Sequence, residues 1–139
     1  MSVVVFNDAK NGESKYIELE SEYFTMDKAA ELLNVNMVEI VKTPMLVDAT
    51  FNSKEKAFLG ILIDEIGLWK KEIIYNELAS QVYPPGIAGD VMFVKILDNF
   101  PFGYSIAPFE DKEEAKEWLD KLYKYLEVNK GWKKKNSIF

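Results

Sequence analysis

Carboxylates, lysine amines and hydroxyls carry whatever chemistry this chain can do, because it holds no histidine, no cysteine and no arginine; all 17 basic residues are lysine. A Ser-His-Asp triad, a thiolate nucleophile, a Cys/His zinc cage and an imidazole switch are thereby excluded. So is the guanidinium fork that grips phosphate or carboxylate through two parallel hydrogen bonds. Nine Asn against one Gln, 11 Ile and lysine at every basic position fit codon bias in an AT-rich genome, and the chemical consequence is the same whatever the cause. Asp64, Glu65, Glu72, Glu77, Asp90 and Asp98 are the carboxylates that could pair for acid/base work or cage Mg²⁺. No spacing among them has metal-loop form, and 15 Glu with 8 Asp guarantee chance neighbours. They read as solvated surface. Neither a Walker loop nor Gly-x-Gly-x-x-Gly occurs, so a phosphate cradle has no support. The expectation is a non-enzymatic protein with no catalytic residue, no cofactor and no metal ligand.

Aromatic residues offer binding rather than catalysis. Asn99-Phe100-Pro101-Phe102-Gly103-Tyr104, followed by Pro108-Phe109, puts four rings into a segment punctuated by Pro and Gly. If buried, the rings close the core against the last helix; if exposed, Phe100, Phe102 and Tyr104 become anchors for a protein partner or a stacked small ligand. Trp69, beside Lys70 and Lys71, has the same two readings, a partly buried turn aromatic or an anchor. Asp64 and Glu65 lie just before it in sequence. Tyr83-Pro84-Pro85-Gly86 reads as a rigid turn.

These residues need elements to hold them. Val3 to Phe6 and Tyr16 to Glu20 read as strands joined through the Asn11-Gly12 turn. Thr25 caps a short helix that stops near Asn34. Met37 to Val41 and Met45 to Ala49 read as strands separated by Thr43-Pro44. Phe58 to Ile63 is a buried strand ended by the Asp64 to Gly67 turn. Ile74, Leu78 and Val82 recur every four residues, which predicts a short helix between Ile74 and Tyr83. Val91 to Leu97 and Tyr104 to Ala107 complete the strands. Ala115, Trp118, Leu119, Leu122 and Leu126 form the stripe of an amphipathic helix from about Lys112 to Val128, with Asp111 and Glu114 at capping-box spacing. Glu117 with Lys121 and Asp120 with Lys124 stand four residues apart on its wet side. The predicted fold is a small single α+β domain, a mostly antiparallel sheet with two short helices and a long C-terminal amphipathic helix.

Leu62-Ile63-Asp64-Glu65-Ile66-Gly67, Asn76-Glu77-Leu78-Ala79-Ser80 and Ile87-Ala88-Gly89-Asp90-Val91-Met92-Phe93-Val94 together resemble a family of phage, plasmid and bacterial proteins catalogued as a domain of unknown function. In that family a strand ending in an acidic-glycine turn is followed by an Asn-x-x-Ala helix start and a Gly-Asp-Val strand. The resemblance covers about Leu62 to Val94 and implies an accessory protein of a mobile genetic element. It brings no catalytic residue with it.

At 139 residues the chain has room for one core, and 48% hydrophobic residues argue for a packed one. The expected division is a globular domain over residues 1–128 and a basic tail over 129–139. Residues 1–128 hold 13 lysines against all 23 acids, a net charge of −10, while the tail holds four lysines and no acid. An acidic body lacks the clustered positive surface that phosphate binding needs, which argues against direct nucleic-acid binding; the tail reads as a solvated terminus. The start at Met1 has no basic stretch and breaks at Asn7 and Asp8, and the longest apolar run is far shorter than the ~20 residues of a membrane span. The expected setting is the cytoplasm, the host's if the chain is phage-encoded. The expected role is binding a host or phage protein, as an acidic inhibitor of a nucleic-acid-binding or defence factor. The alternative is a small-molecule or nucleotide-signal binder that uses the aromatic loop.

Overall fold

Among the described residues the hydrophobic patterning of the sequence becomes a six-stranded, mostly antiparallel sheet with three helices, an α+β fold. The computed structural model describes residues 1–20, 23–41, 57–83, 85–98 and 101–131. The expected strand Met45 to Ala49, the Thr43-Pro44 break, Phe100 and the tail beyond Gly131 lie outside those residues. The strands are β1 (Val3–Asn7), β2 (Ser14–Glu18), β3 (Val38–Val41), β4 (Ala57–Asp64), β5 (Val91–Asp98) and β6 (Tyr104–Ala107). The helices among the described residues are α1 (Met26–Leu33), α2 (Glu77–Val82) and α3 (Lys112–Lys130), with a 3₁₀ turn at Gly67–Trp69.

The sheet order is β2-β1-β5-β4-β3, with β6 also on β5. Register shows how β5 takes three neighbours. Along one edge β4 pairs with Met92 to Leu97; along the other, β1 takes Val91 to Phe93 and β6 takes Lys95 to Asp98, end to end. Both alternations of β4 and of β5 up to Ile96 are almost wholly buried, so the centre of the sheet is covered on both faces. Gly60 in β4 is a requirement of that packing, since a Cβ there would overlap the side chain of Ile96.

One face carries Phe93 and Lys95 and, by register, Val5, Asn7, Ser14 and Tyr16. α3 lies over it. Asp111 caps the helix by accepting from the Glu114 N–H at 2.8 Å, as its spacing predicts. Glu114 returns a bond to the N–H of Glu110 at 3.1 Å, one residue before the cap, and also receives the nearly buried Lys95 ammonium at 2.8 Å. A charge pair thus ties β5 to the first turn of α3. The expected stripe, Ala115 to Leu126, is buried, and Trp118 tilts against the fully buried Phe109 with ring centroids 6.4 Å apart. Each large side chain so buried contributes about 1.5–3 kcal/mol. The helix runs two residues further than expected, to Lys130, and Asp120 meets Lys116 at 2.9 Å, one turn before Lys124.

α1 matches its reading closely. Thr25 accepts from the Lys28 N–H at 3.1 Å, and Asn34 closes the helix in the left-handed region at φ 56°. α2 differs. It begins at Glu77, not Ile74, because the Asn76 side chain caps it and the Asn76 N–H is already committed to Ile87 C=O at 2.7 Å. Ile74 and Tyr75 stand outside the helix, exposed, in a short ladder where Tyr75 bridges Ala88.

Candidate functional site

A hollow of about 390 Å³ opens where β3 and the end of β4 face the loop after α2. Its lining includes Glu39 from β3, Asp64 and Glu65 from the turn after β4, Trp69 from the 3₁₀ turn, and Tyr83 with Ala88 from the returning loop. The position of each follows from local rules. β4 ends in an Asx turn in which one oxygen of Asp64 accepts the N–H of Ile66 at 3.2 Å. The chain then tightens into the 3₁₀ turn and presses Gly67 against Ala88, where a Cβ would lie 3.1 Å from the Ala88 carbonyl oxygen. The other oxygen of Asp64 pairs with the Lys70 ammonium at 2.7 Å. Asp64 is thus buried, not part of a solvated surface: its side chain is 6% exposed while that of Lys70 is 50% exposed.

Trp69 is 86% exposed, so it is no partly buried turn aromatic. Leu68 and Tyr83, also exposed, line the same hollow, and Ile66, Ile73, Ile74 and Tyr75 are exposed as well, an apolar ridge along the chain from Ile66 to Tyr75. Sequence reading named Trp69, Asp64 and Glu65 separately; the fold gathers them at one hollow. It missed the ridge and the contributions of Glu39 and Tyr83. The available signal was Ile66 to Tyr75 itself, an apolar string interrupted by Lys70, Lys71 and Glu72 that fits neither strand nor helix period.

The aromatic loop goes elsewhere. The turn before β6 lies at the Asp98 end of β5, whereas the hollow lies near its Val91 end, about seven residues and ~23 Å of strand away. Phe102 is 90% exposed, and Tyr104 stands edge-on to Phe58 with centroids 5.8 Å apart. Phe109 alone of the three described rings closes the core against α3. The loop is therefore split between the two readings of its rings. A second, more open hollow of about 400 Å³ lies between Val3 and the start of α3 and includes none of these rings.

A buried polar clasp fixes the floor of the first hollow. Asn76 is fully buried, and its Oδ1 accepts the N–H of Ala79 at 2.9 Å, so its amide must face the other way. There it donates to Asn7 Oδ1 at 2.9 Å and to Gly89 C=O at 3.2 Å. Asn7 in turn donates to Ser14 Oγ at 2.8 Å, and Ser14 shares a hydrogen bond with the Tyr123 hydroxyl of α3. Burial pushes the Tyr123 phenol up to about 12, with Asp120 and Tyr16 adding to the rise and Ser14 opposing it. Ser80 closes the remaining side by accepting from the N–H of Ile87 at 2.9 Å and donating to its carbonyl at 3.2 Å. Ile87 and Ala88, which form part of the hollow, are thereby held by β1, β2, α2 and α3 together.

No protein-family profile, curated protein or solved structure matches the chain. What the site can do rests on its geometry. Among the described residues no three acidic groups converge to hold a metal ion, and none of the helices is long and apolar enough to cross a membrane. Asp64, the buried carboxylate of the lining, is already paired with Lys70 and so is poorly placed to act as a base. An exposed indole over an acidic, apolar-walled hollow is instead suited to contact.

Proposed function

We propose that this chain is a non-enzymatic binding domain that docks on a protein partner through the Trp69 ridge and the acidic hollow beside it. The observation that carries this reading is Trp69, almost wholly exposed at the mouth of a hollow that the exposed Leu68 and Tyr83 also line. Rigid aromatics that keep most of their area in water are the residues that gain most when a partner covers them. The surrounding carboxylates and the net charge of −6 favour a partner with a basic surface, by steering its approach and rejecting acidic competitors. A nucleic-acid-binding or defence protein of the host, or a phage protein, presents such a surface. The resemblance over Leu62 to Val94 supports a mobile-element origin, and the acidic charge supports a role as an inhibitor of such a partner.

The test is capture from lysate of the natural host with tagged wild-type, Trp69→Ala and Phe102→Ala proteins in parallel. One protein should be enriched by the wild type and by Phe102→Ala and lost with Trp69→Ala. Equal capture by Trp69→Ala, or no capture while a nucleotide panel raises the melting temperature, overturns the reading in favour of a small-ligand binder.

A further inference from the structure

We propose that the hollow receives an arginine side chain of the partner, which takes the place of Lys70 on Asp64. This rests on the docking reading and names the chemistry of the contact. Asp64 is a carboxylate withdrawn from water, and such a group requires a cation beside it. Lys70 supplies that cation from outside: half its side chain remains in solvent, and only its tip reaches Asp64. Exchanging one cation for another leaves the buried charge paired throughout, so the partner avoids the desolvation of a bare carboxylate. Lys70 then returns to water, where an ammonium is well hydrated.

Arginine fits the hollow better than lysine does. Glu39 and Glu65 line the same space as Asp64, so the lining carries three carboxylates, and even with Lys70 counted its charge is −2. A guanidinium can satisfy more than one carboxylate oxygen at a time, whereas an ammonium is a point charge. Apolar walls from Ile40, Ile63, Leu68 and Ile87 accept the methylene stem, and Trp69 and Tyr83 offer faces on which the planar group can stack. These 139 residues contain no arginine, so none of them, in this copy or a second one, can provide this group. The occupant is an arginine-bearing segment of another protein.

The probe is acetyl-Gly-Arg-Leu-amide against its citrulline counterpart, which keeps the shape and removes the charge. Binding is followed by amide shifts in ¹⁵N-labelled protein. The arginine peptide should move amides at 39–41, 64–69 and 86–88 and weaken with added salt, while the citrulline peptide leaves them unmoved. Asp64→Asn keeps the acceptor for Ile66 yet should lose at least tenfold in affinity. Lys70→Met removes the competing cation and should gain several-fold, a change opposite in sign to that expected from a damaged fold. Equal shifts from both peptides, or unchanged affinity in Asp64→Asn, overturn the proposal. Its failure is distinguishable from that of the docking reading: a partner captured through Trp69 but indifferent to Asp64→Asn and to excess arginine peptide defeats the arginine contact alone.

Discussion

Replacing Asn76 with alanine tests whether the polar clasp holds the α2 region in place. Asn76 is fully buried and does two jobs at once, since its oxygen caps α2 and its amide feeds two buried acceptors. Losing the cap costs about 1 kcal/mol. Leaving Asn7 Oδ1 and Gly89 C=O without a donor costs about 1–3 kcal/mol each, part of which a water in the vacated space recovers. The expected total is about 3–5 kcal/mol, a large share of the ~5–15 kcal/mol typical of a whole domain. Asn76→Asp separates the two jobs. Aspartate caps as well as asparagine does at an exposed helix start, but here it removes the amide and sets a carboxylate against Asn7 Oδ1. It should therefore be at least as damaging as alanine. Urea unfolding of both variants, with Asn7→Ala and the Asn7→Ala/Asn76→Ala double variant, gives the energies directly. The double variant should fall short of additivity by at least ~0.5 kcal/mol, because the two side chains share one bond. A near-neutral Asn76→Asp, or an additive pair, would show that only the cap matters and refute the clasp.

Two further outcomes follow from packing and titration. The Tyr123 phenol is held neutral, with its folded-state pKa raised from 10.0 to about 12; the stabilisation this gives is present below pH 10 and lost between pH 10 and 12. Tyr123→Phe cannot ionise, so over that window urea midpoints should shift in favour of the variant by the equivalent of roughly 2 kcal/mol, and parallel pH profiles would contradict the assignment. Gly60→Ala drives a methyl into Cγ1 and Cδ1 of Ile96 and should cost about 1–3 kcal/mol, and much less when made in an Ile96→Ala background that removes both atoms; an equal cost in the two backgrounds would locate the strain elsewhere.

Elements whose signals are local were legible in the sequence. α3 carries its stripe and its Asp111 cap within its own residues, and β4 and β5 are apolar runs too short for a helix and too apolar for a loop. α2 was misplaced at its start because a four-residue period cannot show that Ile74 and Tyr75 are taken by pairing with the segment around Ala88. The same limit governed the site. Asp64, Glu65 and Trp69 are near one another in sequence and could be suspected together, but Glu39 and Tyr83 reach the hollow only through the β3–β4 pairing and the loop after α2. Asp64 was assigned to solvent because its burial depends on Lys70 folding back over it. Phe102 and Phe109 have the same turn-rich surroundings, and it is the backbone bridge to Val3 and the contact with Trp118, both distant in sequence, that hold Phe109 in the core while Phe102 stays outside.

β5, with β4 on one edge and β1 and β6 sharing the other, also sets the order in which the chain can acquire structure. During synthesis β1 can find β2 almost at once, but its second edge waits for Phe93, the partner of Val5, to leave the ribosome. At 5–20 residues per second that interval lasts several seconds, and an isolated hairpin is at best marginally stable in water. Until then the amino-terminal half carries open strand edges and an uncovered apolar face, the state most exposed to aggregation or to a chaperone. Pairings between such distant residues also slow folding once the chain is released. Truncation before residue 91 should therefore give an aggregating fragment, not a smaller domain, because the strand that joins the amino-terminal hairpin to β4 would be missing.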